Sequence, residues 1–111
     1  MIEKKKSSKK LPFDVAKSIS ELGKNLHLAR KRRGLSARAV AERIGMDQRS
    51  VLDAEKGKST TAVSTYLSLL WAYDLLGCMK DVADPMKDVE GIRLAAAREN
   101  RPLKSDLDND F

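Results

Sequence analysis

Residues 35–57, LSARAVAERIGMDQRSVLDAEKG, decide the fold. The apolar positions are Leu35, Val40, Ala41, Ile44, Met46, Val51 and Ala54, with Gly45 between the two groups. The first group steps by threes and fours, breaks at Ile44-Gly45-Met46-Asp47, and resumes at Val51. That is the period of two short helices joined by a tight turn. Gly45 can take the left-handed backbone that stops the first helix, and Asp47 can cap the second by accepting from a free N–H at its start. Ala41 is small where two helices so joined must cross closely. The stretch predicts a helix-turn-helix, with one helix over about Ser36 to Ile44, capped by Ser36, and the next over about Gln48 to Lys56.

With Val51 and Ala54 turned inward, the second of these helices exposes Gln48, Arg49, Ser50 and Asp53. Gln can bond adenine in two places, Arg can fork onto guanine, and Asp can accept from a cytosine amino group. Gln48, Arg49 and Asp53 are therefore candidate base readers, although the charge on Asp53 repels the DNA backbone and leaves pairing with a neighbouring Arg as its other role. Ser50, Lys56 and Lys58 are candidate phosphate contacts.

The order Ala41, Gly45, Val51, with apolar residues at Val40, Ile44, Met46 and Ala54 and a close on Glu55-Lys56-Gly57, resembles the Cro/phage-repressor (XRE) class of helix-turn-helix domains. The resemblance spans about Ile19 to Leu76. It implies an all-α, five-helix Cro/repressor-like domain whose recognition helix begins at Gln48 and lies in the major groove. It also implies that Glu55 pairs with an arginine of the first helix, here Arg30, as a structural ion pair. The best-known phage repressors often carry Gln where Ala37 stands, for a phosphate contact. Ala37 cannot make it, so that role moves to Arg38 or Arg43.

The formal charge of +6 is unevenly spread. Residues 1–58 hold 16 Lys/Arg and 7 Asp/Glu, a net of +9, whereas residues 59–111 hold 6 and 9, a net of −3. A basic half carrying the helix-turn-helix suits double-stranded DNA, because each cation set against a phosphate releases condensed counterions. The acidic half suits a protein. Length and charge divide the chain into a basic flexible tail over 1–12, a DNA-binding domain over 13–83 and a C-terminal extension over 84–111, partly disordered, that is a candidate partner-binding segment. No apolar run approaches the roughly 20 residues of a membrane span. The lone Cys78 cannot form an internal disulfide and reads as a small core residue in a reducing, cytoplasmic setting. No nucleophile with a base, metal-spaced ligand set or phosphate loop is present, so neither an enzyme nor a cofactor or metal is expected.

Met1 to Leu11, MIEKKKSSKKL, is either a solvated tail or an arm that tracks phosphates or enters a minor groove. A first helix runs from Phe13 or Asp14 to Arg33, with Val15, Ile19, Leu22, Leu26 and Ala29 on one face. Gly23 weakens its middle and allows a break. His27 reads as a surface or boundary residue. Arg30 to Arg33 offset the helix dipole and can also touch phosphate. Ser59-Thr60-Thr61 should cap a fourth helix over about Ala62 to Tyr73, whose apolar residues crowd more than one face. That helix is either central to its own core or presents a second stripe to a partner, with Tyr66, Trp71, Tyr73 and Leu76 as the interface candidates. A fifth helix is expected over Asp74 to Val82. Ile92 to Asn100 carries good helix formers, and the last eight residues read as disordered.

TYLSLLWAYDLLG followed by an Asp-Pro tail is similar to HipB-type antitoxins encoded beside HipA-like kinases. The combined expectation is a homodimeric repressor on a palindromic operator that autoregulates a toxin–antitoxin operon and binds a HipA-like kinase toxin. The alternative is a protein-interaction module, antitoxin or adaptor, that mainly holds a partner and binds DNA only as an auxiliary.

Overall fold

The structure, a computed structural model, describes residues 10–100. The tail up to residue 9 and the last eight residues, on which the expectations of a phosphate-tracking arm and of disorder fell, lie outside them. The described residues are all-helical, as the sequence predicts. Helices α1 (Phe13–Arg32), α2 (Ala37–Ile44), α3 (Gln48–Glu55), α4 (Val63–Ala72) and α5 (Val89–Glu99) are joined in places by 3₁₀ segments at Leu76–Asp81 and Pro85–Lys87. None of these helices is long and apolar enough to cross a membrane. The chain divides into two compact units, the first ending at Leu76 and the second beginning at Gly77.

In the first unit α3 packs against α1, α2 and α4 in turn. Its Val51 and Ala54 are fully buried, and Leu26, Val40, Leu69 and Tyr73 close the core around them. Two helix starts are capped as the sequence predicts: the Ser36 hydroxyl accepts from the Ala39 N–H at 3.0 Å, and Asp47 Oδ1 accepts from the Ser50 N–H at 2.9 Å. The four helices of this unit all end on one device, a residue in the left-handed conformation whose own amide and the next one close back on the last turn. For α2 the Met46 N–H donates to the Ala41 carbonyl at 2.9 Å and the Gly45 N–H to that of Glu42 at 3.3 Å. Gly34, Gly45 and Gly57 hold that position after α1, α2 and α3, whereas Asp74, at φ 63°, holds it after α4.

Gly23 does not break α1. It is the point where α1 meets the end of α3, backbone to backbone. A Cβ on Gly23 would lie 2.6 Å from the carbonyl oxygens of both Ala54 and Glu55, and one on Gly57 would lie 2.8 Å from Ser20 Cα. No side chain fits between these two segments.

Three expectations are corrected. Thr61 does not cap α4: Ala62 occupies the cap position, and it has no side-chain acceptor to offer. No α-helix forms over Asp74 to Val82, because left-handed Asp74 ends α4 and Leu76–Asp81 winds as a 3₁₀ segment with no buried residue. A short helix with no face to bury gains too little to hold its geometry. Cys78, on that segment, is exposed rather than in a core.

The second unit is held by local capping. The Asp84 carboxylate accepts from the Met86 N–H at 2.9 Å, that of Asp88 accepts from the Gly91 N–H at 3.0 Å, and Lys87 pairs with Asp81 at 2.9 Å. None of its three helical elements has a buried residue. Met86, Val89, Ile92 and Leu94 are all exposed.

Candidate nucleic-acid interface

The Arg30–Glu55 pair sets the orientation of α3. The guanidinium grips the carboxylate with two prongs, Nε to Oε2 at 2.7 Å and NH2 to Oε1 at 2.9 Å, while its NH1 donates to the Leu35 carbonyl at 2.9 Å. One side chain thus ties α1, the loop after it and the end of α3. The two side chains are 9% and 6% exposed, so each depends on the other for its solvation. His27 Nδ1 lies 2.8 Å from the same Glu55 Oε1, which makes a three-residue cluster. Burial works to raise the Glu55 pKa, but hydrogen bonds from Arg30 and His27 outweigh it and hold the carboxyl below its ordinary value. The hydrogen bond to Glu55 likewise raises the pKa of Arg30.

The cluster also explains part of the basic run at the end of α1. Arg30 is buried, and Arg33 is engaged within the fold. Arg33 donates to the Ala29 carbonyl at 2.9 Å and to the Tyr73 carbonyl at 3.0 Å, with its guanidinium 5.5 Å from the Tyr73 ring centroid. Lys31 and Arg32 remain exposed.

With α3 so fixed, its first turn projects Gln48 and Arg49 into solvent. The other candidates are arranged differently from the sequence reading. The Ser50 hydroxyl donates to Asp47 Oδ1 at 2.8 Å, so its one hydrogen is committed to the cap rather than to a phosphate. The two bonds from Ser50, side chain first, lower the Asp47 pKa. Asp53 is turned toward the loop after α3. Its Oδ1 is 3.7 Å from Lys58 Nζ, a contact between charges beyond hydrogen-bond length, and that oxygen is out of reach of solvent. The partner of Asp53 is thus a lysine rather than an arginine, and base reading by that oxygen is corrected. Lys56 and Lys58 are exposed, as is Arg38, which sits 3.8 Å from Glu42 one turn on. Arg43 lies instead on the α4 side of α2, where it lines an open groove with Ile44, Leu67, Trp71 and Leu76.

The interface candidates on α4 separate into two sets. Tyr73 is 1% and Tyr66 7% exposed, which corrects their placement at a partner surface. Tyr66 donates to the Lys58 carbonyl at 3.2 Å, and Tyr73 fills the core beside Arg33. Burial raises the Tyr73 pKa, and its hydroxyl has no hydrogen-bond partner among the described residues. Trp71, 57% exposed, and Leu76 stay on the surface and line the groove. Sequence reading missed His27, Arg33 and the Gly23–Gly57 contact. Only the first had a local signal: His27 and Arg30 are three apart and so share a helix face.

A first helix, a left-handed turn, and a second helix held across it with Gln48 and Arg49 exposed on its first turn define the DNA-binding helix-turn-helix class. The family model for the helix-turn-helix domain matches residues 21–82, more than half of the chain, and the protein belongs to that family. No curated protein and no solved structure matches it.

Proposed function

We propose that the protein is a sequence-specific transcriptional repressor that binds a palindromic operator as a homodimer. The observation that carries this reading is the exposure of Gln48 and Arg49 on the first turn of α3, while the rest of that helix is fixed by Arg30, Gly23 and Gly57. A base-reading helix needs an unshielded edge on a rigid mount. Gln48 and Arg49 read bases, while Arg38, Lys56 and Lys58 hold phosphates. Trp71 and Leu76 pair with a second copy, so that two recognition helices enter successive major grooves about 34 Å apart. Similarity of the α4 segment to HipB-type antitoxins adds a finer reading: a cytoplasmic regulator of its own toxin–antitoxin operon, with a HipA-like kinase as its protein partner.

The test is fluorescence anisotropy on DNA from upstream of its own gene against a scrambled duplex. The upstream duplex should bind far more tightly at physiological salt. Gln48→Ala and Arg49→Ala should each cost roughly 1–3 kcal/mol and relax base choice locally. Variants with unchanged affinity and base preference would remove those residues from the reading.

A second reading rests on the bare apolar residues of the second unit, Met86, Val89, Ile92 and Leu94. In it the protein mainly holds a partner, as antitoxin or adaptor, and DNA binding is auxiliary. Deleting residues 84–111 separates the two, because a repressor of the first kind keeps its operator preference whereas a holder of this kind loses its partner.

A further inference from the structure

Two apolar side chains far apart in sequence meet on the outside of the first unit. Leu28 is 46% and Leu75 43% exposed, and with Ala29, Arg32 and Arg33 they line one open hollow. Its volume of about 250 Å³ falls short of the roughly 300–1,000 Å³ of a small-molecule site and suits a single apolar side chain of a larger partner. Arg33 forms a fixed wall, because the Ala29 and Tyr73 carbonyls hold its guanidinium, yet a carbonyl leaves its charge uncancelled. Neither arginine has a carboxylate partner among the described residues. Lys24 and Lys31 are exposed on the same helix, about 40–60° round from Leu28. The acids closest to these residues in sequence are Glu21, 4.0 Å from Lys17, and Asp74, beside Leu75.

The hollow looks away from the recognition helix. Gly23, His27 and Arg30 meet the end of α3, whereas Leu28 and Arg32 stand about 140–180° round α1 from Gly23. Phosphates of a duplex on the first turn of α3 are therefore not what cancels this charge. We propose that the hollow docks a protein partner through an acidic segment carrying one apolar side chain. That side chain enters beside Leu28 and Leu75, and its flanking carboxylates meet Arg32 and Arg33, whose forked donors match a carboxylate in two places. Apolar contact edged by arginine, with lysine farther out, is the make-up of an interface core and its polar rim. The docking uses no residue of the second unit and none assigned to DNA, so it stands or falls separately from both. A partner so held stays on the protein while α3 meets DNA.

The probe is a synthetic peptide with three glutamates on each side of one leucine, titrated into the isotope-labelled full chain and followed by amide chemical shifts. The expected shifts concentrate on Asn25 to Arg33 and on Leu75, and they persist when the duplex from upstream of the gene is present. A peptide with serine in place of the leucine should bind at least about fivefold more weakly, as should the leucine peptide on Leu28→Ser. Shifts centred on Lys56 and Lys58, or lost when the duplex is added, would mean that the peptide stands in for phosphate on the DNA surface, and they overturn the docking site. Equal binding of the two peptides, or no binding up to about 1 mM, overturns it as well. The duplex is read in the same samples: if it fails to bind while the leucine peptide binds as expected, the DNA-binding reading falls and the docking site remains.

Discussion

Adding one methyl group to α1, as Gly23→Ala, sets two physical effects against each other with opposite signs. Helix propensity favours the substitution: alanine in a helix interior is better than glycine by about 1 kcal/mol. The tertiary contact opposes it, since the new Cβ would lie 2.6 Å from two carbonyl oxygens and 2.9 Å from the Gly57 nitrogen. Carbon–oxygen approaches of this kind settle near 3.3–3.6 Å, so the end of α3 must retreat by about 0.7 Å or more. The obstructing atoms are all backbone, and no rotamer change can relieve them. Overpacking costs typically 1–3 kcal/mol, and a contact with no soft partner belongs at the upper end. The net expectation is a loss of roughly 1–2 kcal/mol, read as a lower urea midpoint and a melting temperature down by about 5–15 °C for a domain of this size. The retreat also tilts α3, so, if α3 reads bases as proposed, DNA affinity should fall beyond what the unfolded fraction accounts for. A variant more stable than the parent by about 1 kcal/mol would refute the reasoning, because it would mean that propensity acts alone and α1 does not press on α3.

Glu55→Gln should cost about 3–5 kcal/mol at neutral pH, because it strands a buried guanidinium. The Glu55 pKa is lowered by folding, so its contribution is complete above the ordinary value of 4.5 and disappears as pH falls through the folded value. Denaturation midpoints of the parent should therefore drop on acidification below about pH 4.5, and those of Glu55→Gln should drop less steeply; equal slopes would contradict the assignment. Asp74→Gly should stabilise by a few tenths to about 1 kcal/mol in a thermal melt, since φ 63° is paid for by a residue with a Cβ; a loss would show that the aspartate side chain has a role of its own. Trp71→Ala with Leu76→Ala should shift sedimentation toward the monomer while the melt of the monomeric fold changes little. Asp47→Ala should lower the chemical-denaturation midpoint through loss of the cap on α3, and an unchanged midpoint would show that the cap does not hold the helix start.

Much of this fold is legible in one dimension because its determinants are local. Ser36 and Asp47 cap helices that begin one residue later, and Gly45 ends a helix at its own position, so each signal and its consequence share a turn of chain. Arg30 with Glu55 was reachable only through family resemblance, because nothing in the spacing of two charges 25 residues apart names them as partners. His27 shares a helix face with Arg30, but its contact with Glu55, 28 residues on, has no mark in the spacing either. The misread fifth helix is instructive, since Leu75, Leu76, Met79 and Val82 have the apolar spacing of a helix. Spacing describes which face a helix would bury, not whether a surface exists to receive it.

Sequence by itself determined the helix-turn-helix, its caps, the bare edge at Gln48 and Arg49, and the basic bias of the half that carries them. These follow from backbone conformations and periodicities that a few neighbouring residues dictate. Tertiary structure decided which polar groups are free to act. It tied Arg33 to the Tyr73 carbonyl, buried Tyr66 and Tyr73, and made Gly23 a contact rather than a weakness. The physical reason is that hydrogen-bond donors and buried surface are finite and are shared among segments distant in sequence, so their allocation exists only once the helices have packed.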